Sequence, residues 1–468
     1  IMSLKIMRKE SLQTYLGADQ KFVKSLTAFD LMTLGIGAVI GTGIFILPGT
    51  VAANDAGPGV TLSFLMAAIV CALAAMCYAE FSSALPVAGS AYSYGNVVFG
   101  ELIGWILGWA LILEYMLAVA SVSTGWAAYF NSLLASFGIN IPTALSGPFD
   151  PAHGTYINIV AVAIVLIVTL ILSRGMRSSM RINNVAVIIK ILIILVFIGV
   201  GLFFIKPANY HPFLPFKMGG VMHGATTVFF AFLGFDAISS SAAEVKNPKK
   251  NMPLGIIGTL VIATILYMGV SVVLTGMVPY TKLDVANPVA FALKAVNQGW
   301  IADLLSIGAL VGMFTMMVTM TYSSSRLVYS IGRDGLLPKF LSKLDEHSST
   351  PQAALWIVAV IIAAMGGLVS LDQLTSLVNI GTLLAFTFVS FGIIPLRKRK
   401  DIGNKGGFQV PWFPVLPILS GIACLVMIAL LSVQTFIGAG IWFVIGIILY
   451  FSYGYRHSKL AHESTTTD

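Results

Sequence analysis

Charge is what this chain of 468 residues lacks most. Asp, Glu, Lys and Arg make up 10% of it, against about 25% in an ordinary soluble protein. So few charges could not keep so apolar a chain in solution, which excludes a soluble enzyme and a disordered protein. Cysteine is also scarce, and Cys71, Cys77 and Cys424 all lie inside apolar runs. They have no metal-ligand spacing and cannot make a disulfide scaffold, so they read as small buried hydrophobes. The six histidines, at 153, 211, 223, 347, 457 and 462, avoid the middles of the apolar segments. Without a nucleophile–base pair or a ligand cluster at depth, neither an intramembrane enzyme nor a metal site is expected. The stretch GSAYSYG at 89–95 lacks the GK[ST] ending of a phosphate loop and reads as a short turn or helix on the cytoplasmic side.

Apolar residues are what the chain has, at 57% of its length, with a mean hydropathy of +0.91. Residues 155–173 carry no charge at all, and a run of about 20 apolar residues crosses a bilayer. Hydropathy predicts twelve spans, numbered here in order: 29–53, 59–84, 101–134, 155–173, 182–205, 220–243, 253–277, 300–331, 353–371, 373–395, 413–431 and 436–455. The fold class expected is an all-α polytopic membrane protein with 12 transmembrane helices. Spans 3 and 8 are too long to stand upright and should tilt or project. A short surface helix is expected near 288–298, and the basic, Gly-rich loop 396–412 separates spans 11 and 12 from the first ten.

Twelve spans put both termini on one side. Of the 27 Lys and Arg, 22 fall before span 1, in the even-to-odd loops or at the span ends that flank them, and after span 12. Only Lys206, Lys217, Lys282 and Lys294 fall on the other side, and Lys190 lies inside span 5. The positive-inside rule therefore makes the N-terminal segment 1–28 and the tail 456–468 cytoplasmic. The polar stretch before span 1 does not read as a cleaved leader. The net charge of +8 then reflects orientation in the cell membrane and not a nucleic-acid partner.

Span 1 contains Gly35, Gly37, Gly41 and Gly43 in LGIGAVIGTGIFILPG. Glycine weakens a helix interior by up to about 1 kcal/mol each. The cluster predicts either an unwound segment around Gly41–Thr42–Gly43 or close packing through small residues. Span 6 reads VFFAFLGFDAISSSAAEVKNP, with Gly234 and Asp236 near its middle. Interrupted spans at corresponding places in two halves point to an inverted-repeat transporter. The repeats would be spans 1–5 (29–205) and spans 6–10 (220–395), with spans 11–12 (413–455) added. A half-helix N-terminus offers N–H groups and a positive dipole end to a carboxylate. Carbonyls at the opposite half-helix end suit an ammonium, so a zwitterionic amino acid matches both.

With the blocks GIGAVIGTGIF, AGPGVTLSF, CYAEFSSALPVAGSAYSY, GFDAISSSAAEVKNPKKNMPLGI and SRLVYSIGRDGLLPKF in this order over nearly the whole chain, the sequence resembles the amino acid–polyamine–organocation superfamily. Within it the resemblance is to the cationic amino acid transporter family, bacterial type. It implies a leucine-transporter-type five-plus-five inverted repeat with discontinuous spans 1 and 6. It also implies amino acid transport by alternating access, coupled to protons or by exchange. Carried over residue by residue, the carboxylate site falls on Gly41, Thr42 and Gly43. The amine site falls on carbonyls near Val39 and Ile40, with Phe230, Ala231 and Leu233. Phe230 would be an aromatic gate, a role for which ordinary packing is the alternative. By the same register Met320 faces the substrate side chain and, being bulky, favours small neutral substrates such as alanine over Arg or Lys. Met is also a common core filler.

Three charges lie deep inside spans. Lys190 in VAVIIKILIILVF is too deep to be an end anchor. A charge at mid-membrane costs about 2.5–3.5 kcal/mol on insertion scales and is a functional candidate, with snorkelling to the surface as the alternative. In the resemblance, span 5 packs beside spans 1 and 8 where sodium-driven relatives bind Na⁺. Lys190 would supply that positive charge and couple transport to protons. Glu114 in span 3 and Asp236 in span 6 each need a partner: one another, a shared proton or backbone N–H groups. Either is a proton or substrate site, or a structural one. Glu114 departs from the eukaryotic cationic transporters, where a small polar residue is expected. Glu80, Glu244 and Asp334 read as charge networks at the span ends.

The expected function is secondary active transport of an L-amino acid, alanine-like or cationic, as proton symport. An exchanger is the near alternative and a channel the remote one. No cofactor is expected beyond the proton gradient. The partners expected are the substrate, protons and lipid, with an accessory subunit left open.

Overall fold

The computed structural model describes residues 24, 26–87, 89–174, 179–345, 350–399, 402 and 407–460. Most of segment 1–28 and of the tail 456–468 lies outside the described residues, and so do Lys400 and Lys405 of the basic loop. The described chain is helical, with only three isolated β-bridges. Eight of its helices are long and apolar enough to cross a membrane, and four shorter apolar ones accompany them: Ala28–Val39, Ile159–Ser173, Gln352–Leu368 and Val415–Ala429. The protein is therefore a multi-pass membrane protein. Apolar side chains such as Ile188, Leu192, Ile265 and Ile441 stand exposed on its outer faces, where a soluble protein would carry charge.

Span 1 begins at a capping box. The Thr27 hydroxyl accepts from the Asp30 N–H at 3.3 Å, and the Asp30 carboxylate accepts from the Thr27 N–H at 3.0 Å, satisfying two orphan donors of the first turn. After the interruption described below and a second one at Ile46, helical chain resumes at Leu47 and runs to Ala84. This run is not one rod, because it turns at Gly57, whose φ is +61°. It therefore joins the far end of span 1 to span 2, Val60–Ala84.

Both sets of five spans follow one packing plan. Span 2 packs extensively on span 7 (Pro248–Met277), span 3 (Glu101–Ser136) on span 8 (Gly299–Arg333), and span 4 on span 9. Span 1 packs on span 7 as span 6 packs on span 2, and span 3 on span 10 (Leu371–Lys398) as span 8 packs on span 5 (Ser179–Gly201). Exchanging the first five spans with the second five leaves this list unchanged. A short helix precedes the third span of each set, Ser90–Val98 before span 3 and Pro288–Ala295 before span 8. Of the turn or helix expected at 89–95 the structure has the helix, and all nine residues of Ser90–Val98 are buried. Gly95 lies so near Gly104 of span 3 that a β-carbon would stand 2.9 Å from its Cα.

Spans 3 and 8, with 36 and 35 residues, are roughly 54 Å long at 1.5 Å per residue. They overrun the ~30 Å hydrocarbon core and carry the contacts that hold the bundle together. Span 12, Val433–Leu449, is fastened to span 3 by a tryptophan ladder. The rings of Trp105 and Trp109 stack at 5.4 Å and those of Trp109 and Trp442 at 4.5 Å. The indole N–H groups of Trp109 and Trp442 donate to each other's backbone carbonyls, at 2.8 and 3.0 Å.

The described ends of the chain meet at one face. The Leu26 N–H donates to Glu244 O at 3.1 Å, and the Lys459 N–H to Asp334 O at 3.1 Å. The expected charge networks lie on this face. Glu80, 2% exposed, receives Arg397 through two hydrogen bonds of 2.7 Å and the Val410 N–H at 2.6 Å. Glu244 stands 3.9 Å from Arg326. Asp334 accepts from the Tyr92 hydroxyl at 2.8 Å and from Arg333 at 3.3 Å. The three cysteines are buried and free.

Candidate functional site

Span 1 loses its helix at Ile40, one residue before the expected place. Ala28–Val39 ends with Ile40 extended (φ −83°, ψ 95°), Gly41 follows at φ −127° and ψ −134°, and Thr42–Phe45 is helical again. Thr42 and Gly43 thus form the first turn of the new half-helix and are not themselves unwound. Their N–H groups belong to the four that a helix start leaves without an intrahelical partner. Gly41 supplies no side-chain cap. The buried Thr42 hydroxyl has no hydrogen-bond partner either, so the turn is a cluster of donors at the positive end of a short helix dipole.

The carbonyls released on the other side of the break have partners. Lys190 Nζ donates to Ile40 O at 2.8 Å and to Gly37 O at 3.2 Å. The Tyr267 hydroxyl of span 7 reaches Val39 O at 3.1 Å and also Ala231 O at 2.5 Å. Lys190 is fully buried, and no charged side chain among the described residues acts on it. It does not snorkel. Its ammonium meets the negative end of the half-helix, where a cation is favoured.

Span 6 breaks in a different way. Lys217–Val228 tightens into the 3-10 turn Phe229–Phe232, Leu233 is extended at ψ 146°, and Gly234 turns the chain at φ +106° into Phe235–Ser240. Asp236 stands in the first turn of that last half-helix, where an acid is favoured. Phe230, Ala231 and Leu233 are buried at this break. The two breaks touch: a β-carbon on Gly43 would stand 2.6 Å from the Cα of Ala231. The turn that restarts span 1 therefore packs directly on the 3-10 turn of span 6.

Glu114 and Asp236 are brought together in a second buried cluster. Asp236 Oδ2 accepts from the Tyr115 hydroxyl at 3.1 Å. Asp236 Oδ1 and both Glu114 oxygens have no hydrogen-bond partner. Asp236 is close enough to act electrostatically on Glu114, and Thr382 of span 10 lies beside it. Lys190 is not part of this cluster. The structure thus holds a cation on the span 1 carbonyls and, separately, two acids at spans 3 and 6.

Three contributors were not singled out from the sequence. Tyr267 ties the two breaks through one hydroxyl. A lone tyrosine inside an apolar span needs a partner for its polar tip, and that was the available signal. Gly312 of span 8 makes room for Lys190, since a β-carbon there would stand 3.2 Å from Lys190 Cε. The side chain of span 8 that meets the span 1 break is Met316, whose sulfur lies against Gly41. Met320 is fully buried one turn further along. Nothing in the run MFTMMVTM distinguishes one methionine from another. Among the described residues no group of His, Cys, Asp and Glu has the makings of a metal site.

Comparison with known proteins agrees with this architecture. The family described as "Amino acid permease" matches residues 26–452. The chain is 49% identical over 458 residues to the methylthioribose transporter of Bacillus subtilis, covering 97% of this chain and 99% of that protein. It is 45% identical over 461 residues to the branched-chain amino acid permease BcaP of the same organism, covering 97% and 99%. It is 38% identical over 428 residues to the chloroplastic cationic amino acid transporter 9 of Arabidopsis thaliana, covering 90% of this chain and 73% of that protein.

Proposed function

The chain belongs to the amino acid permease family, in the amino acid–polyamine–organocation superfamily, and on that premise we propose that it carries an L-amino acid across the cell membrane by proton-coupled alternating access. The observation that carries the reading is the contact of the two helix breaks, the first turn at Thr42 and Gly43 packing directly on Ala231.

The frame proposed is twelve spans in a five-plus-five inverted repeat, 29–205 and 220–395, with 413–455 added. The repeated packing list and the paired short helices support it. The face holding both chain ends is the cytoplasmic one. The substrate carboxylate takes the N–H groups of Gly41, Thr42 and Gly43 and the free Thr42 hydroxyl. The ammonium takes carbonyls at Val39, Ile40, Phe230, Ala231 and Leu233. A carbonyl oxygen has two lone pairs, so those already bonded to Tyr267 or Lys190 can accept a second donor. Phe230 closes over the ligand and Met320 limits its side chain. Lys190 is the coupling group. Charged, it bridges the span 1 carbonyls toward span 8, and loss of its proton loosens that hold. Glu114 and Asp236 serve as a second acid site that shares a proton or meets a substrate amine.

A second reading takes methylthioribose as cargo, after the name of the relative at 49% identity. Uptake into proteoliposomes decides, with an amino acid panel and methylthioribose as competitors, and with and without an acid-outside gradient. Saturable uptake blocked by amino acids and driven by the gradient is expected. Uptake that requires amino acid preloaded inside identifies an exchanger, and non-saturable flux identifies a channel. Lys190→Ala should lower gradient-driven uptake by about tenfold or more, or ~1.4 kcal/mol in barrier terms. Full gradient-driven uptake in a normally expressed variant rules Lys190 out.

A further inference from the structure

Span 8 passes the span 1 break with Gly312 and Met316 stacked on one face, because residues four apart in a helix lie one above the other. Gly312 faces the Lys190 stem. Met316 lies one turn on, its sulfur against Gly41, the residue after the Ile40 carbonyl that receives Lys190. A β-carbon on Gly41 would collide with that sulfur and would stand 3.4 Å from Val122 Cγ2 of span 3. Met316 is 2% exposed and Lys190 fully buried. The two hydrogen bonds of Lys190 go to carbonyls, which cannot pass a proton onward.

Met316 thus lies one turn from the Gly312 that faces Lys190 and against the Gly41 that joins its Ile40 acceptor to the Thr42–Gly43 turn. We propose that Met316 is a movable seal over Lys190, closing the amine off from the substrate side of the span 1 break and swinging aside to let its proton exchange. This rests on the reading of Lys190 as the coupling group. The chemistry suits the task. A thioether is a poor hydrogen-bond acceptor and carries no proton. The unbranched methionine chain has three rotatable bonds and adapts its shape readily. Gly41 gives the sulfur its seat by having no side chain. Span 1 faces Lys190 with backbone carbonyls and span 8 with Gly312. The acids Glu114 and Asp236 act on each other, and no charged group among the described residues competes at the amine. Met316 is thus a positioning residue that controls water access.

The test uses the full chain in vesicles containing a pH-sensitive dye, with acid outside and no amino acid. Met316→Ala should speed proton entry about tenfold, equivalent to ~1.4 kcal/mol off the barrier, and flatten the dependence of uptake on pH. Met316→Leu, still apolar and of similar size, should leave the substrate-free leak at the wild-type rate. Adding Lys190→Ala to Met316→Ala should abolish the extra leak. Should the alanine variant not fold, Met316→Val makes the same comparison with a shorter side chain. A Met316→Ala protein as proton-tight as wild type, a leak that survives loss of Lys190, or a change in substrate preference alone overturns the proposal. Wild-type uptake that ignores the pH gradient defeats the coupling reading itself, whatever the methionine does.

Discussion

In span 1 the chain leaves its helix through Ile40 and Gly41 with negative φ throughout, whereas span 6 leaves through a tightened turn and re-enters at Gly234 with φ +106°. The glycines accordingly have different tasks. Gly234 supplies a backbone conformation that side-chain-bearing residues avoid. Gly41 and Gly43 supply close approach, to Met316 and to Ala231. The charges differ in the same ordered way. A cation, Lys190, holds the carbonyl end at span 1, and an acid, Asp236, opens the N–H end at span 6. Both follow the helix dipole. A break is therefore made by glycine in two ways, and it is kept by whichever charge fits the half-helix end it exposes.

Three substitutions sharpen this contrast. The largest effect is expected for Gly234→Ala. It forces a side chain into the left-handed region and brings a β-carbon to 3.1 Å from Ala38, which costs about 3 kcal/mol in strain and overpacking together. The thermal midpoint should fall and uptake should be largely lost, and Ala38→Gly should restore little, because the Ala38 carbonyl stands as near as its β-carbon. Gly43→Ala should cost about 2 kcal/mol through overpacking against Ala231. Because its φ is ordinary and the Ala231 β-carbon is one of the two atoms at 2.6 Å, the double variant with Ala231→Gly should regain part of both stability and uptake, the Ala231 Cα still standing in the way. Equal rescue of the two glycine variants would erase the distinction. Glu114→Gln should have the smallest effect on folding, within about 1 kcal/mol of wild type, since the isosteric amide breaks no hydrogen bond at either carboxyl oxygen. Its uptake should change in pH dependence or substrate preference. Identical profiles across pH and substrates would make Glu114 structural.

The helical class and the places of the helices were legible because long apolar runs and charge-free intervals are local properties of the chain. The two interruptions were legible for the same reason: Gly41, Gly43 and Gly234 stand where a helix former would otherwise be. Their detail was not. Thr42 and Gly43 begin a new turn instead of lying unwound, because the Thr42 carbonyl accepts the Ile46 N–H at 2.9 Å, and glycine content does not set that position. The stretch 89–95 was legible as a turn or helix but not as a buried one, since burial of Ser90–Val98 depends on Gly104 of a different span. The choice between Met316 and Met320 was beyond the sequence, because both are apolar, flexible and on span 8.

Composition and order along the chain determined that this protein lives in a bilayer, that two of its spans are weakened near the middle, and that a lysine and two acids must find partners at depth. Those consequences follow from the cost of putting polar groups and glycine into an apolar helix. Which partner each group found was decided by the tertiary structure: Lys190 took the carbonyls of span 1, Asp236 took Tyr115, and Tyr267 took one carbonyl from each break. Those pairings join residues from 36 to 228 positions apart, and only the packing of one span on another brings such groups within hydrogen-bonding distance.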